Sequence, residues 1–232
     1  MGEPLTITYI FRFTEDDVVV SKVRLDPATL ECVAEPRESY PNWVALAYHQ
    51  CKNCPFSPEE VPNCPLAEKL IEFVETFGER ISYEEVDLEV LTELRNYAGR
   101  TTLQDSLRSL MGIFMASSGC PHLEPLRPML LTHLPLASGR ETAFKAVTMY
   151  LMAQYLIQRE GGSPDWDLDR LPDLYEEIHE VNVGFSQRLS AVSPSDANVN
   201  SIIKLDLYTF IVPQATEKHL EEFAPYFKPY LK

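Results

Sequence analysis

Between Cys51 and Pro65 the chain packs three cysteines and four prolines into fifteen residues. Proline removes a backbone donor and clashes with the preceding helical turn, so this stretch can be neither a helix nor a central strand. An irregular run of that length is costly in conformational entropy unless something ties it down. The means of tying it stand in the run itself. Cys51 and Cys54 form Cys-Lys-Asn-Cys, Cys64 follows, and Cys120 lies further on in Ser-Ser-Gly-Cys-Pro-His. Cys54, Cys64 and Cys120 each precede a proline (Pro55, Pro65 and Pro121), which restricts the backbone at the sulfur-bearing residue.

Two thiolates separated by two residues reach one ion from a tight turn, and zinc takes four such ligands tetrahedrally. The spacing therefore points to a structural zinc site of Cys51, Cys54, Cys64 and Cys120. His122 and His49 are alternative ligands, and His122 could instead orient a ligand from behind. Cys64 precedes a helix expected from Pro65, whose N-terminal dipole would favour a thiolate. An iron–sulfur cluster would use the same four sulfurs, although the usual close run of cysteines is missing. Two metal-free readings compete: reduced cysteines packed as small apolar groups, and a redox disulfide, with Cys51–Cys54 as the natural pair. Cys32 falls in an expected strand and reads as core. Cys120 and His122 also have the chemistry of a nucleophile and its base, but no partner acid is identifiable and no serine-hydrolase or zinc-protease motif occurs. Nine glycines in 232 residues form no phosphate-binding motif.

The formal net charge is −15, and Lys and Arg are scattered singly. Such a surface repels phosphate backbones, so the expected partner is a protein and not a nucleic acid. The most apolar run, Tyr150 to Ile157, is too short for a membrane span. Met1 to Thr6 has neither the charged nor the apolar region of a signal peptide. Gly2 and Thr6 fit the loose myristoylation pattern, which Glu3 argues against. The expected compartment is the cytoplasm, where thiols stay reduced and cysteine clusters more often bind metal than pair.

Hydrophobic periodicity divides the chain. Ile7, Tyr9, Phe11 and Phe13 alternate with more polar neighbours, Val18 to Leu25 is rich in β-branched residues, and Thr29 to Ala34 could add a third short strand. Tyr83 to Tyr97 alternates again and reads as one further strand. Helical spacing covers Pro65 to Phe77 and then most of the chain beyond residue 100. Thr101 with Gln104 and Ser138 with Glu141 have the form of capping boxes. The helix after Ser138 is apolar nearly all round, which suggests a central buried position. Asp165, Asp167 and Asp169 approximate a calcium loop, but Arg170 stands where the template needs glycine. The fold class is α+β: an N-terminal antiparallel β-meander followed by a mainly helical bundle. One domain, 1–232, is expected, β-rich with the cysteine loop over 1–98 and helical over 99–232.

His-Gln-Cys-Lys-Asn-Cys-Pro (49–55), Asn-Cys-Pro-Leu-Ala (63–67), the segment from Thr101-Thr-Leu-Gln to Ser-Ser-Gly-Cys-Pro-His122, and Leu134-Pro-Leu-Ala-Ser-Gly-Arg-Glu-Thr onward to Tyr155 together resemble a family of uncharacterised bacterial proteins, a domain of unknown function. The resemblance spans most of the chain. It implies a bacterial, cytoplasmic protein and carries no activity or catalytic residue with it. The function expected from the residues is a non-enzymatic regulatory or adaptor protein whose fold is stapled by a Cys-rich metal site. The alternative is a thiol-based redox or metal sensor, or an enzyme using Cys120 or an open Cys-metal site.

Overall fold

The computed structural model describes residues 3–33, 37–218 and 220–231. Strands β1 (Leu5–Arg12), β2 (Val18–Leu25), β3 (Glu85–Leu91) and β4 (Asn96–Thr102) form one antiparallel sheet in the order β2-β1-β3-β4. The alternation read from the sequence selects the covered face. Ile7, Tyr9 and Phe11 of β1, Val23 and Leu25 of β2, and Val86, Leu88 and Val90 of β3 are all buried. The register sets Tyr9 opposite Val90 and Phe11 opposite Leu88, so the inward side chains are cross-strand neighbours.

The strand expected over Tyr83–Tyr97 is in fact the first arm of a hairpin. Thr92 turns the chain, its backbone N–H and its hydroxyl both donating to the Arg95 carbonyl at 2.9 Å. Thr101 therefore lies in β4 and heads no capping box. The helix that follows, α3 (Leu103–Ala116), gets its first donors satisfied from elsewhere, Leu103 N by Glu84 O and Gln104 N by Ser82 O. Thr29 to Ala34 yields a single bridge, Leu25 to Cys32, in place of a third strand, and Ala34 lies outside the described residues. So do Gly2 and His219.

Helices α1 (Pro65–Lys69) and α2 (Ile71–Phe77) break at Leu70, and α2 with α3 covers the sheet. Phe77 meets Phe11 edge-on at 5.0 Å. The predicted stripe Leu103, Leu107, Leu110, Met111 and Phe114 of α3 is buried throughout. Behind α3 packs α6 (Ala197–Lys218), and against α6 pack α5 (Leu171–Ser190) and α4 (Gly139–Arg159). The Ser138 box is present: Ser138 Oγ accepts from Glu141 N, and the Glu141 carboxylate accepts from Ser138 N at 2.9 Å. Gly161, at φ +82°, ends α4 as Gly162 N returns to Ile157 O.

Helix α4 is not central. It buries Ala143, Ala146, Val147 and Gln154, while Met152, Tyr155 and Leu156 face outward. It packs on α6 and the 3-10 segment Glu124–Thr132, and its first turns meet the rings of Phe223 and Phe227 that follow α6. The Asp165 carboxylate is committed locally, accepting from Tyr150 Oη, Asp169 N and Arg170 N at the approach to α5. After α6 comes α7 (Leu220–Phe227). No helix among the described residues is long and apolar enough to cross a membrane.

Candidate metal centre

Three separate segments bring four sulfurs to one place. Cys51, Cys54, Cys64 and Cys120 line a single small cavity together with His122, Leu46, Phe56, Leu66, Val181 and Phe185. Its volume is about 20 Å³. That is room for about one water-sized sphere and little else. No two of the five cysteines are bonded to one another.

Each sulfur is placed by local backbone. Cys54 N donates to Cys51 O at 3.1 Å and closes the knuckle. Cys64 is pinned by its own N–H to Val44 O at 2.9 Å, while Leu46 N reaches Pro62 O at 2.8 Å, so the two limbs of the loop are laced together. Pro65 takes the first position of α1, where a missing N–H costs nothing. Cys120 follows Gly119, whose φ of +85° turns the chain after α3, and its N–H donates to Ser118 Oγ.

Burial is the largest influence on the thiols. It pushes Cys51 up to about 12, with further upward pressure from Cys64, Cys120 and Cys54. Burial likewise raises Cys120 to about 11 and raises Cys64. At Cys64 burial outweighs what favours the thiolate, first the Arg188 charge and then the backbone of Ala67 and Leu66 at the start of α1, a helix of only five residues whose N-cap sulfur accepts no capping hydrogen bond. At Cys120 the backbone of His122 and Leu123 also favours the thiolate against burial, while Leu123 N donates to the Cys120 carbonyl at 2.9 Å.

The histidines stand differently. Both ring nitrogens of His122 face oxygen acceptors, Nε2 at 2.7 Å from Asn53 O and Nδ1 at 3.2 Å from Glu177 Oε2. His122 lines the cavity yet spends its nitrogens bracing the knuckle against α5. His49, left-handed at φ +46°, is exposed, meets the Tyr48 ring edge-on and does not line the cavity. Cys32 sits apart, its N–H bonded to Ser117 O. Among the described residues no group of three or more His, Cys, Asp or Glu side chains already stands in an arrangement that could hold a metal ion.

Helix α5 forms the back wall, and nothing in the local sequence foretold it. Gly184 allows Cys51 to lie against the helix: a Cβ there would fall 2.8 Å from Cys51 Sγ and 3.0 Å from its Cα. Asn53 Nδ2 donates to the Glu177 carbonyl and carboxylate, and Cys51 Sγ points to Val181 O at 3.8 Å. Arg188, one turn on and 1% exposed, donates to the carbonyls of Trp43, Ala45 and Leu46. Among the described residues no carboxylate pairs with it; the negative charges that would offset its burial are those of Cys64, Cys51 and Cys54. Gly184→Ala is expected to lower stability by about 1–3 kcal/mol in urea unfolding despite alanine's better helix propensity, because the methyl has backbone as well as sulfur in its path. An unchanged midpoint would show that the knuckle does not sit this close.

No curated protein and no solved structure matches the chain. A family model covers residues 7–228, nearly the whole length and every residue of the cysteine cavity. By that match the chain belongs to the family described as Domain of unknown function (DUF6901).

Proposed function

We propose that the protein is a non-enzymatic regulatory or adaptor protein of the cytoplasm, with Cys51, Cys54, Cys64 and Cys120 holding one structural zinc ion. The observation that carries this reading is the convergence of four thiols, from three segments, on a cavity of about 20 Å³. A divalent cation reverses the local titration logic: coordination deprotonates a thiol outright, against the burial that raises Cys51, Cys64 and Cys120. Four thiolates around one divalent ion carry a net charge of about −2, and the buried Arg188 guanidinium then gains the counter-charge it otherwise lacks. Zinc there would supply folding free energy by tying the loop to α3 and α5; with four protein ligands it would keep no open position for substrate.

The surface for a protein partner is the outer side of the helical part. Met152, Tyr155 and Leu156 of α4 and Ile203, Leu207 and Phe210 of α6 are exposed apolar residues, more than solvation alone calls for. The sensor or Cys120-enzyme alternative needs a low-pKa accessible thiol. Burial that raises Cys51, Cys64 and Cys120 works against it.

Anaerobically purified protein, assayed for metal and free thiols, tests the proposal. About one zinc per chain and four protected thiols is the expected result. Five freely titrating thiols with no metal would remove the site; iron with sulfide would replace zinc by a cluster on the same sulfurs.

A further inference from the structure

A second cavity, of about 150 Å³, lies among α3, α4, α5, α6 and the 3-10 segment, away from the cysteines. Its wall is mostly apolar, with Met115, Leu130, Leu136, Ile178 and Leu205 the main surfaces, and Leu134, 39% exposed, at its mouth. A void of roughly this volume with such a lining accommodates a body the size of benzene. Several polar groups enter the wall. Ser109 and His133 lie 3.5 Å apart, both bonded to the buried Tyr9 hydroxyl, and Arg108 and Lys145 belong to the same wall.

The two cations are incompletely matched. Lys145 Nζ donates to the carbonyls of Met129 and Thr132 and has a third N–H to give. Burial lowers its pKa to about 8, and no carboxylate offsets that. Arg108 Nε is buried without a hydrogen-bond partner. Asp105 Oδ1 makes only a long ion pair with that nitrogen at 4.0 Å, its Oδ2 being bonded to Lys204 and Thr102 at 2.7 Å each, and the guanidinium otherwise donates to Ala137 O at 3.4 Å and lies over the Tyr208 ring. Among the described residues no acidic side chain lines the cavity, although the chain has 35 Asp and Glu against 20 Lys and Arg. Burial also holds His133 down to about 3, so it stands as the neutral ring, able to donate or accept but adding no charge. On the wall Asn182 is 3% exposed; its amide nitrogen donates to Asp206 at 2.8 Å, which fixes the flip, and its Oδ1 is left without a donor.

Gly112 adds a separate argument. It lies in the middle of α3, where glycine costs about 1 kcal/mol relative to alanine. A Cβ there would meet only Leu205 Cδ1, at 3.8 Å, so packing does not demand its absence. It lines the cavity, and a side chain at this position would occupy it.

We propose that this cavity is a binding site for a small carboxylic acid with an aromatic or branched apolar body, its carboxylate on Arg108 and Lys145 and its body against Met115, Ile178 and Leu205. The carboxylate completes the two cations, the apolar body displaces nothing that hydrogen-bonds well, and Asn182 Oδ1 offers an acceptor to a ligand hydroxyl. The site is independent of the metal reading and stands or falls separately.

Calorimetric titration of the whole chain with sodium benzoate and, separately, with benzamide tests it. Benzoate is expected to bind one per chain with a dissociation constant of about 1 mM or below. Benzamide, of the same shape without the charge, is expected to bind about tenfold or more weakly. Lys145→Met should remove that preference. Gly112→Leu should abolish binding of both. Gly112→Ala, whose added methyl meets only Leu205 Cδ1 at ordinary contact distance, should weaken benzoate while the melting temperature stays the same or rises. No saturable binding, equal binding of the two compounds, or unchanged benzoate affinity in a folded Gly112→Leu protein would each overturn the proposal.

Discussion

Arg188→Ala is expected to destabilise the protein by about 3–5 kcal/mol, with a fall in melting temperature of about 6–20 °C. The side chain is almost wholly buried, and its guanidinium is the donor for three carbonyls, those of Trp43, Ala45 and Leu46. Removing it strips the Trp43 and Leu46 carbonyls of their donor inside the protein, at about 1–3 kcal/mol for each that water cannot reach, while Ala45 O keeps the Tyr48 N–H at 3.0 Å. Two further variants separate charge from packing. Arg188→Met keeps most of the volume and should remain nearly as damaging. Arg188→Lys keeps the charge but not the planar fork, and should recover only part of the loss. Unfolding in urea reads all three. A loss below about 1 kcal/mol for the alanine variant would mean that the loop carbonyls find other donors and that the arginine is not the clamp.

Cys51→Ser is expected to cost about 5 kcal/mol or more, and a strong chelator added to the unaltered protein should reproduce that loss. Zinc bound by four cysteines contributes about 10–16 kcal/mol of apparent free energy in small peptide domains. Here the sheet and helices fold around an independent core, so the share that appears as stability is smaller. For a chain of this size a loss of about 5 kcal/mol lowers the melting temperature by about 10–20 °C. Cys32→Ser is the comparison, since Cys32 bridges to Leu25 outside the cavity, and it should cost no more than an ordinary partly buried substitution. Equal melting temperatures for the two variants, together with no response to chelator, would remove the metal from the account of this fold.

What the sequence displays and what it hides follow from range. Period-two alternation at Ile7, Tyr9 and Phe11 and period-3.6 spacing at Leu103, Leu107 and Leu110 are local signals, and both select the face that is buried. The irregular cysteine loop is legible for the same reason, because proline acts on its own backbone. The hairpin at Thr92 is less so: Leu94 continues the apolar alternation although it lies in the turn, fully in solvent. Helix α4 misleads because apolar residues on every side look alike whether the neighbours are protein or water. The back wall of the cysteine cavity is the least legible part. Gly184 reads as a weak spot in a helix and Arg188 as a basic residue in a last turn, favourable to the dipole and facing water. Only the contact across 130 residues, from Cys51 to Val181, shows that both serve the loop. A glycine and an arginine four residues apart on an otherwise apolar helical face was the available signal. Arg108, Lys145 and Gly112 are equally unmarked in one dimension, since their cavity is assembled from five elements.

That separation of 130 residues also sets an order of events on the ribosome. Cys51, Cys54 and Cys64 leave the exit tunnel well before the wall that will cover them has been made. At about 5–20 residues per second, some 6–26 s pass between the appearance of Cys51 and that of Val181. Throughout that interval the thiols are in water, without the cavity that encloses them in the finished protein, and open to oxidation or to any metal present. The composition of the cell during those seconds, more than the selectivity of the completed cavity, would then decide what the four sulfurs enclose.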